Sequence, residues 1–362
     1  MPAISTAAPA PPRAAPGGPQ RARIDWIDAL RGIAVMLVVL EHAIRFAVRN
    51  GFEVPSALDL LSDSLYPVRM PAMAFLSGLL LGVSLAKGRR RHLAGKLRNL
   101  LWPFALWSLV YAGLQVAVGG TAAGRQDWSA IADIPVDPPL HMWFLRDLFL
   151  FFVLALAIRR LRALAVAAAS LCLSGVAMAL EAPGVGETPQ VARFLFLFAF
   201  FLIGHWAMAH RDRWPLVLER PIPVAAALAI ASLAVPVAAV FGNVRYEVAS
   251  APLGAAGIVA LMLLARGACR TPLSGPLRAL GRGSLVIYVL HWLVLAILVQ
   301  AIEAAEPGAP GGLVVALGLV LGVALLALAV PLHRRLGLGW IFSFPAGDRP
   351  PPAVRDLASE IR

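Results

Sequence analysis

The sequence predicts an all-α polytopic membrane protein: a bundle of about ten transmembrane helices with both termini in the cytoplasm. Three observations lead there. Of 362 residues, 59% are hydrophobic and only 14% charged, with a mean hydropathy of +0.77, and a water-soluble chain of this length cannot bury so much apolar surface. Ten apolar segments follow one another, at about 27–48, 66–86, 100–118, 141–158, 163–180, 191–209, 223–241, 249–265, 284–302 and 312–332. Loop signals such as KGRRRHLAGKLRN, DWSAIADIPVDPP and EAPGVGETP separate them. Finally, 24 of the 32 Lys and Arg fall in the N-terminal tail, in alternate loops at 87–99, 159–162, 210–220 and 266–283, or in 333–362, whereas the opposite side holds only Arg45, Arg49, Arg125 and Arg245. Basic loops stay cytoplasmic, and an even number of spans brings both ends to the same side. The formal net charge of +12 follows from this bias and calls for no nucleic-acid partner.

Taken in order, residues 1–23 are rich in Ala, Pro and Gly and lack the compact apolar core and cleavage site of a signal peptide. They read as a disordered cytoplasmic tail, followed by a membrane domain over 24–335 and a second cytoplasmic tail over 336–362. The first span carries the most information: DWIDALRGIAVMLVVLEH, from Asp25 to His42, contains Asp28, Arg31, Glu41 and His42. A charge at the centre of a membrane helix costs roughly 2.5–3.5 kcal/mol on insertion scales, so such residues face a protein interior or a function. Arg31 and His42 stand eleven positions apart, close to three helical turns, which places them on one face and roughly 16 Å apart along the axis. Asp28 can pair with Arg31, and Glu41, about 100° around the helix from His42, can pair with Arg45.

The later spans add further polar groups. The second opens near Arg69, the fourth with His141, Arg146 and Asp147, and the sixth with Arg193; snorkelling to the interface accounts for Arg69 and Arg193. Segment 223–241 contains Pro236, and 249–265 is the shortest. His291 lies seven residues into the ninth span, which puts it toward the cytoplasm with Arg31. His42, Glu41, Arg69, His141, Arg146 and Asp147 share the outer half. The two cysteines, Cys172 and Cys269, have no redox or metal spacing, and no metal site is expected. The nine Trp are expected mostly as interface anchors.

Four stretches, in order, then carry a resemblance. RIDWIDALRGIAVMLVVLEH has an Arg followed by a His in the first span, RMPAMAFLSGLLLG (69–82) occupies the second, HMWFLRDLFLF (141–151) the fourth and GRGSLVIYVLH (281–291) the ninth, with LWPFALWS (101–108) as further support. Over about residues 24–335 the chain resembles the membrane acyltransferase-3 family. The resemblance implies a ten-span inner-membrane enzyme that moves an acyl group, most often acetyl, from cytoplasmic acyl-CoA to a hydroxyl of a cell-surface or exported carbohydrate. It would be the stand-alone form without a C-terminal esterase-like domain. Where the family has two arginines spaced three apart before the third span, this chain has Lys96 and Asn99, with Arg98 between.

Acyl transfer from a thioester to an alcohol needs a base at the hydroxyl and a stabiliser for the oxyanion. His42 is the expected base, since imidazole titrates near neutrality. Arg31 would assist the charge or sit near the donor. Lys96, Arg98 and His291 are the further donor-side candidates, with the basic loop Lys87–Arg98 on the CoA phosphates. Glu41, Arg69, His141, Arg146 and Asp147 are the acceptor-side candidates. No permanently bound cofactor is expected: acyl-CoA, acetyl-CoA first, is a substrate, and the partners are a carbohydrate or lipid-linked glycan and membrane lipid. Buried Arg, Glu and His also suit a transporter or flippase for an anionic or sugar substrate; inverted repeats would favour that reading, but the Arg31/His42 pattern has no counterpart in the second half. An inactive scaffold is the third reading, and the retained motif histidine counts against it.

Overall fold

The computed structural model describes residues 25–117, 130–181, 189–242 and 246–345. The tail 1–24, residues 346–362, Arg125, Arg245 and most of EAPGVGETP lie outside them. In order come α1 (Asp25–Arg49), α2 (Ser56–Leu79), α3 (Leu81–Leu85), α4 (Arg89–Lys96), a π-helical turn (Leu97–Leu101), α5 (Trp102–Ala117) and α6 (Ala130–Asp133). Then follow α7 (Trp143–Ala157), α8 (Ala163–Glu181), α9 (Gln190–Ala209), α10 (Trp214–Leu218), α11 (Pro221–Ser232) and α12 (Ala234–Phe241). The last are α13 (Ala251–Ala268), α14 (Ser274–Arg282), α15 (Ser284–Ala305) and α16 (Gly311–Arg335). No strand occurs among the described residues.

Each of the ten expected segments has a helix, but eight helical stretches are long and apolar enough to cross a membrane. The other two differ for physical reasons. α1 has the length, yet Asp28, Arg31, Glu41, Arg45 and Arg49 interrupt its apolar run; α7 is apolar but only 15 residues long. The 223–241 segment, expected as one span, divides. Pro236 has no N–H to offer the Ser232 carbonyl, and the helix breaks at Leu233, between α11 and α12.

α1 is the central strut, packed against α2, α13, α14, α15 and α16. Val35, Val39 and Ala43 join one buried cluster with α15 and α16, while Leu30, Ala34 and Val38 join the larger cluster. The charged helix can therefore sit in the bundle because its neighbours replace lipid around it. Motif glycines allow the tightest crossings. A Cβ on Gly32 would strike the Leu277 carbonyl and one on Gly281 the Asp28 carbonyl, closing α1 onto α14. Gly78 and Gly204 do the same for α2 and α9 against the Phe201 and Phe75 carbonyls, the small-residue contact by which membrane helices associate. Gly204→Ala is accordingly expected to cost about 1–3 kcal/mol through overpacking, read as a lower unfolding temperature in detergent. Gly113→Ala, where a Cβ meets nothing within 4 Å, should leave that temperature unchanged.

Candidate active site

Two chambers open at opposite ends of α1. The chamber at the Arg31 end, about 190 Å³, is walled by apolar side chains including Met73, Leu76, Leu148 and Phe152, with Arg31, Lys96, Asn99, Ser77 and Ser284 among its polar groups. Lys96 Nζ rests 3.4 Å from the centroid of the Phe152 ring, a cation–π contact. Lys96 and Asn99 both face this cavity because they are three apart on continuous helix. Arg98, between them, turns away. Its Nε donates to the Phe344 carbonyl at 2.9 Å, and it does not line the chamber, a correction to its expected place beside the donor.

The chain after α16 holds one wall of this chamber. Residues 336–345, expected as the start of a cytoplasmic tail, lie on the π-turn and α5. Trp102 Nε1 donates to the Trp340 carbonyl at 2.7 Å and Trp107 Nε1 to the Ile341 carbonyl at 2.9 Å. Ser343 Oγ donates to Asn99 Oδ1 at 2.6 Å, and Phe342 stacks on Trp107. Two tryptophans expected as interface anchors are thus internal clasps.

The chamber at the His42 end, about 290 Å³, is lined by Glu41, His42, Arg69, His141, Tyr66 and Tyr246, among others. His42 Nδ1 lies 2.8 Å from the Val38 carbonyl. A carbonyl only accepts, so Nδ1 carries the proton and Nε2 presents its lone pair. The His291 ring lies 4.8 Å from that of His42 and 4.6 Å from that of His141, centroid to centroid, and Trp292 stacks on His141. Two helices, α1 and α15, and the turn that leads into α7 thus converge on one imidazole cluster. His291 Nδ1 is 2.6 Å from the Tyr288 carbonyl. Its Nε2 and both ring nitrogens of His141 are buried without a hydrogen bond of good geometry among the described residues. The placement of His291 corrects its expected position beside Arg31. α15 starts at Ser284, as the apolar segment does, and its second turn reaches the level of His42 and His141, so the His291 ring packs on theirs. Arg31 lines the other chamber and not this one.

Glu41 has the carboxylate role of a structural hub. It accepts from Arg45 Nε at 2.9 Å, from Ser62 Oγ and from an Arg69 guanidinium nitrogen. The Arg45 pairing was expected. The Arg69 pairing overturns interfacial snorkelling: Arg69 is only 4% exposed, with its guanidinium 5.1 Å from the Tyr66 ring centroid. Sequence could not reveal this pair, because it depends on which turn of α2 meets α1.

Arg146 and Asp147 bind each other, Nε to Oδ1 at 2.9 Å, and Arg146 also donates to the carbonyls of Pro135 and Val136. Neither lines the His42 chamber; the two fasten the 135–136 turn onto α7. Arg193, expected at the interface, lies 3.9 Å over the Trp143 ring. Beside them, Leu140 adopts φ 54°, a left-handed conformation that strains a branched side chain. It turns the chain so that His141 enters the cluster, while Tyr288 donates its hydroxyl proton to the His141 carbonyl. Tyr288, Tyr111, Tyr246 and Trp292 were not singled out as site residues. Tyr288 and Trp292 sit in and beside the GRGSLVIYVLH stretch, the only signal that pointed toward them.

Two cavities thus lie at opposite ends of α1, with a histidine cluster in the wall of one. The family comparison identifies the protein's class: a family model described as an acyltransferase domain matches residues 24–332. The chain belongs to the acyltransferase-3 family and is a membrane acyltransferase. No curated protein and no solved structure matches it.

Proposed function

We propose that the protein is an O-acyltransferase that receives acyl-CoA in the Arg31 chamber and delivers the acyl group, most simply acetyl, to a carbohydrate hydroxyl in the His42 chamber. The observation that carries this reading is the pairing of an apolar cavity that holds Arg31 and Lys96 with a polar, histidine-walled one at opposite ends of the same helix. Lys96, Arg31 and the Arg89–Arg91 run on α4 suit the CoA phosphates, and the apolar bore suits the pantetheine arm and acyl group. The distribution of Lys and Arg supports a cytoplasmic α4; ten spans in an inner membrane belong to the same reading, by likeness to the family.

In the transfer, His42 Nε2 takes the proton of the acceptor hydroxyl as its oxygen bonds to the thioester carbon. The C–S bond breaks, the departing CoA sulfur takes up the proton held on His42 Nε2, and the CoA thiol leaves by the Arg31 chamber. His141 carries one N–H that has no other good acceptor and would meet the developing oxyanion. Tyr66 and Tyr246 stand 5.0 Å apart by ring centroid, and with Trp143 they offer aromatic faces to the C–H side of a sugar while Arg69 and Glu41 hold the wall in shape. A lipid-linked glycan fits best, because His42 also borders an apolar recess of about 420 Å³ between Phe46, Val48 and Trp292, with Arg45 and Arg49 at its edge. No observation favours the transporter reading over this one.

The test is protein in nanodiscs with radiolabelled acetyl-CoA, following free CoA with and without a lipid-linked glycan extract. Release that requires the extract supports the proposal; no CoA binding and no release with a panel of acyl-CoA donors contradicts it. The clasp gives a further expected outcome. Trp102→Phe together with Trp107→Phe removes two hydrogen bonds of about 0.5–1.5 kcal/mol each from the wall that positions Asn99. CoA should then bind roughly three- to tenfold more weakly by calorimetry, with the KM for acceptor unchanged.

A further inference from the structure

One side chain is common to the walls of both chambers among the described residues: Tyr288. On either side of it the walls change over within a turn or a single residue. On α2, Met70 faces the His42 chamber and Met73 the Arg31 chamber; on α7, Trp143 faces the first and Phe144 the second. The Tyr288 ring is 4% exposed and packs edge-on to His141 at 5.2 Å and beside Phe144 at 5.9 Å, so it touches a wall residue of each cavity. Its hydroxyl proton is donated to the His141 carbonyl, which fixes the ring across the gap. The neighbouring Val289 carbonyl is held by Tyr111 at 2.6 Å, which pins α15 at the same level.

We propose that Tyr288 is a one-residue partition between the donor and acceptor chambers. Closed, it keeps water of the acceptor chamber from the thioester; displaced, it lets the acyl carbon reach the acceptor oxygen. This rests on the acyltransferase reading for its chemistry, but the partition itself is a property of the cavities. Without the ring, water takes the acceptor's place. Its oxygen bonds to the acyl carbon, the C–S bond breaks, and the products are the free carboxylic acid and CoA thiol. A closed site normally prevents such side hydrolysis of a reactive group.

The experiment uses the full chain in proteoliposomes, comparing wild type with Tyr288→Ala, Tyr288→Leu and Tyr288→Phe, each first shown to be monodisperse. Two readouts are taken: acceptor-independent CoA release from acetyl-CoA, and proton leak after a pH jump, followed with an enclosed pH dye and no CoA present. Tyr288→Ala is expected to raise acceptor-independent release relative to transfer by at least about tenfold and to raise the leak. Tyr288→Phe, which keeps the ring and loses only the bond to His141, should stay tight. Tyr288→Leu serves if the alanine variant does not fold. A raised leak without CoA release would uphold the partition and contradict the donor assignment. Folded Ala or Leu variants with wild-type leak and wild-type acceptor-independent release would overturn the proposal.

Discussion

Replacing His42 by alanine is expected to lower acceptor-dependent acyl transfer by roughly 10²–10⁴-fold, the usual contribution of a positioned general base, while CoA binding stays at the wild-type value. The separation of effects follows from the cavities. His42 lines the acceptor chamber and the adjoining apolar recess but not the chamber that contains Arg31 and Lys96. Arg31→Ala should show the opposite pattern, with weaker CoA binding and a higher KM for donor. His42→Gln is the stricter variant, because its amide can keep the bond to the Val38 carbonyl yet cannot take a proton. Transfer that survives in His42→Gln would remove His42 from the role of base. The assay is the initial rate of labelled acetyl incorporation at saturating donor, with binding measured separately on the same preparation.

Breaking the buried hub on α1 and α2 should have the largest effect on stability. Arg69→Met removes one partner of a buried ion pair, a change that costs about 3–5 kcal/mol when the other charge stays behind. Glu41 keeps Arg45 and Ser62, so the lower end of that range is expected. The double variant Glu41→Gln/Arg69→Met leaves no orphaned carboxylate and should recover part of the loss, with a coupling of about 0.5–3 kcal/mol between the two sites. Unfolding temperatures of the four proteins in one detergent give the cycle. Additive losses would mean that the pair is not coupled, and the acceptor wall would need another support.

Much of this was legible in the sequence. Each of the ten apolar segments contains helix, and the spacing of Arg31 and His42 put both on one strut, α1, where each lines a cavity. Motif order pointed to the family. Legibility ended wherever depth or neighbours decided the outcome. His291 was assigned by counting from the start of its apolar segment, and its height in the bundle placed it instead with His42 and His141. Arg69, Arg146, Asp147 and Arg193 each looked like a cation or anion at a helix end; three of the four turned out to be committed to a partner within the protein, and the fourth lies on an aromatic ring. The Lys96/Asn99 pair faces the cavity and Arg98 does not, as a three-residue spacing on a helix allows, but the partner that holds Arg98, the Phe344 carbonyl, lies too far along the chain for the sequence to name it. The clasp of residues 336–345 was hidden for a related reason, because its tryptophan partners also suit a membrane interface.

The central claim is that donor and acceptor are held at opposite ends of α1 and meet at the histidine cluster. The most direct measurement uses oriented proteoliposomes with labelled acetyl-CoA enclosed on the side of Lys96 and a lipid-linked glycan acceptor offered to the opposite face. Labelled product on the acceptor face, absent in His42→Gln and absent when acetyl-CoA is supplied only from that face, is the expected result. Product that forms only when donor and acceptor share one face would contradict the account.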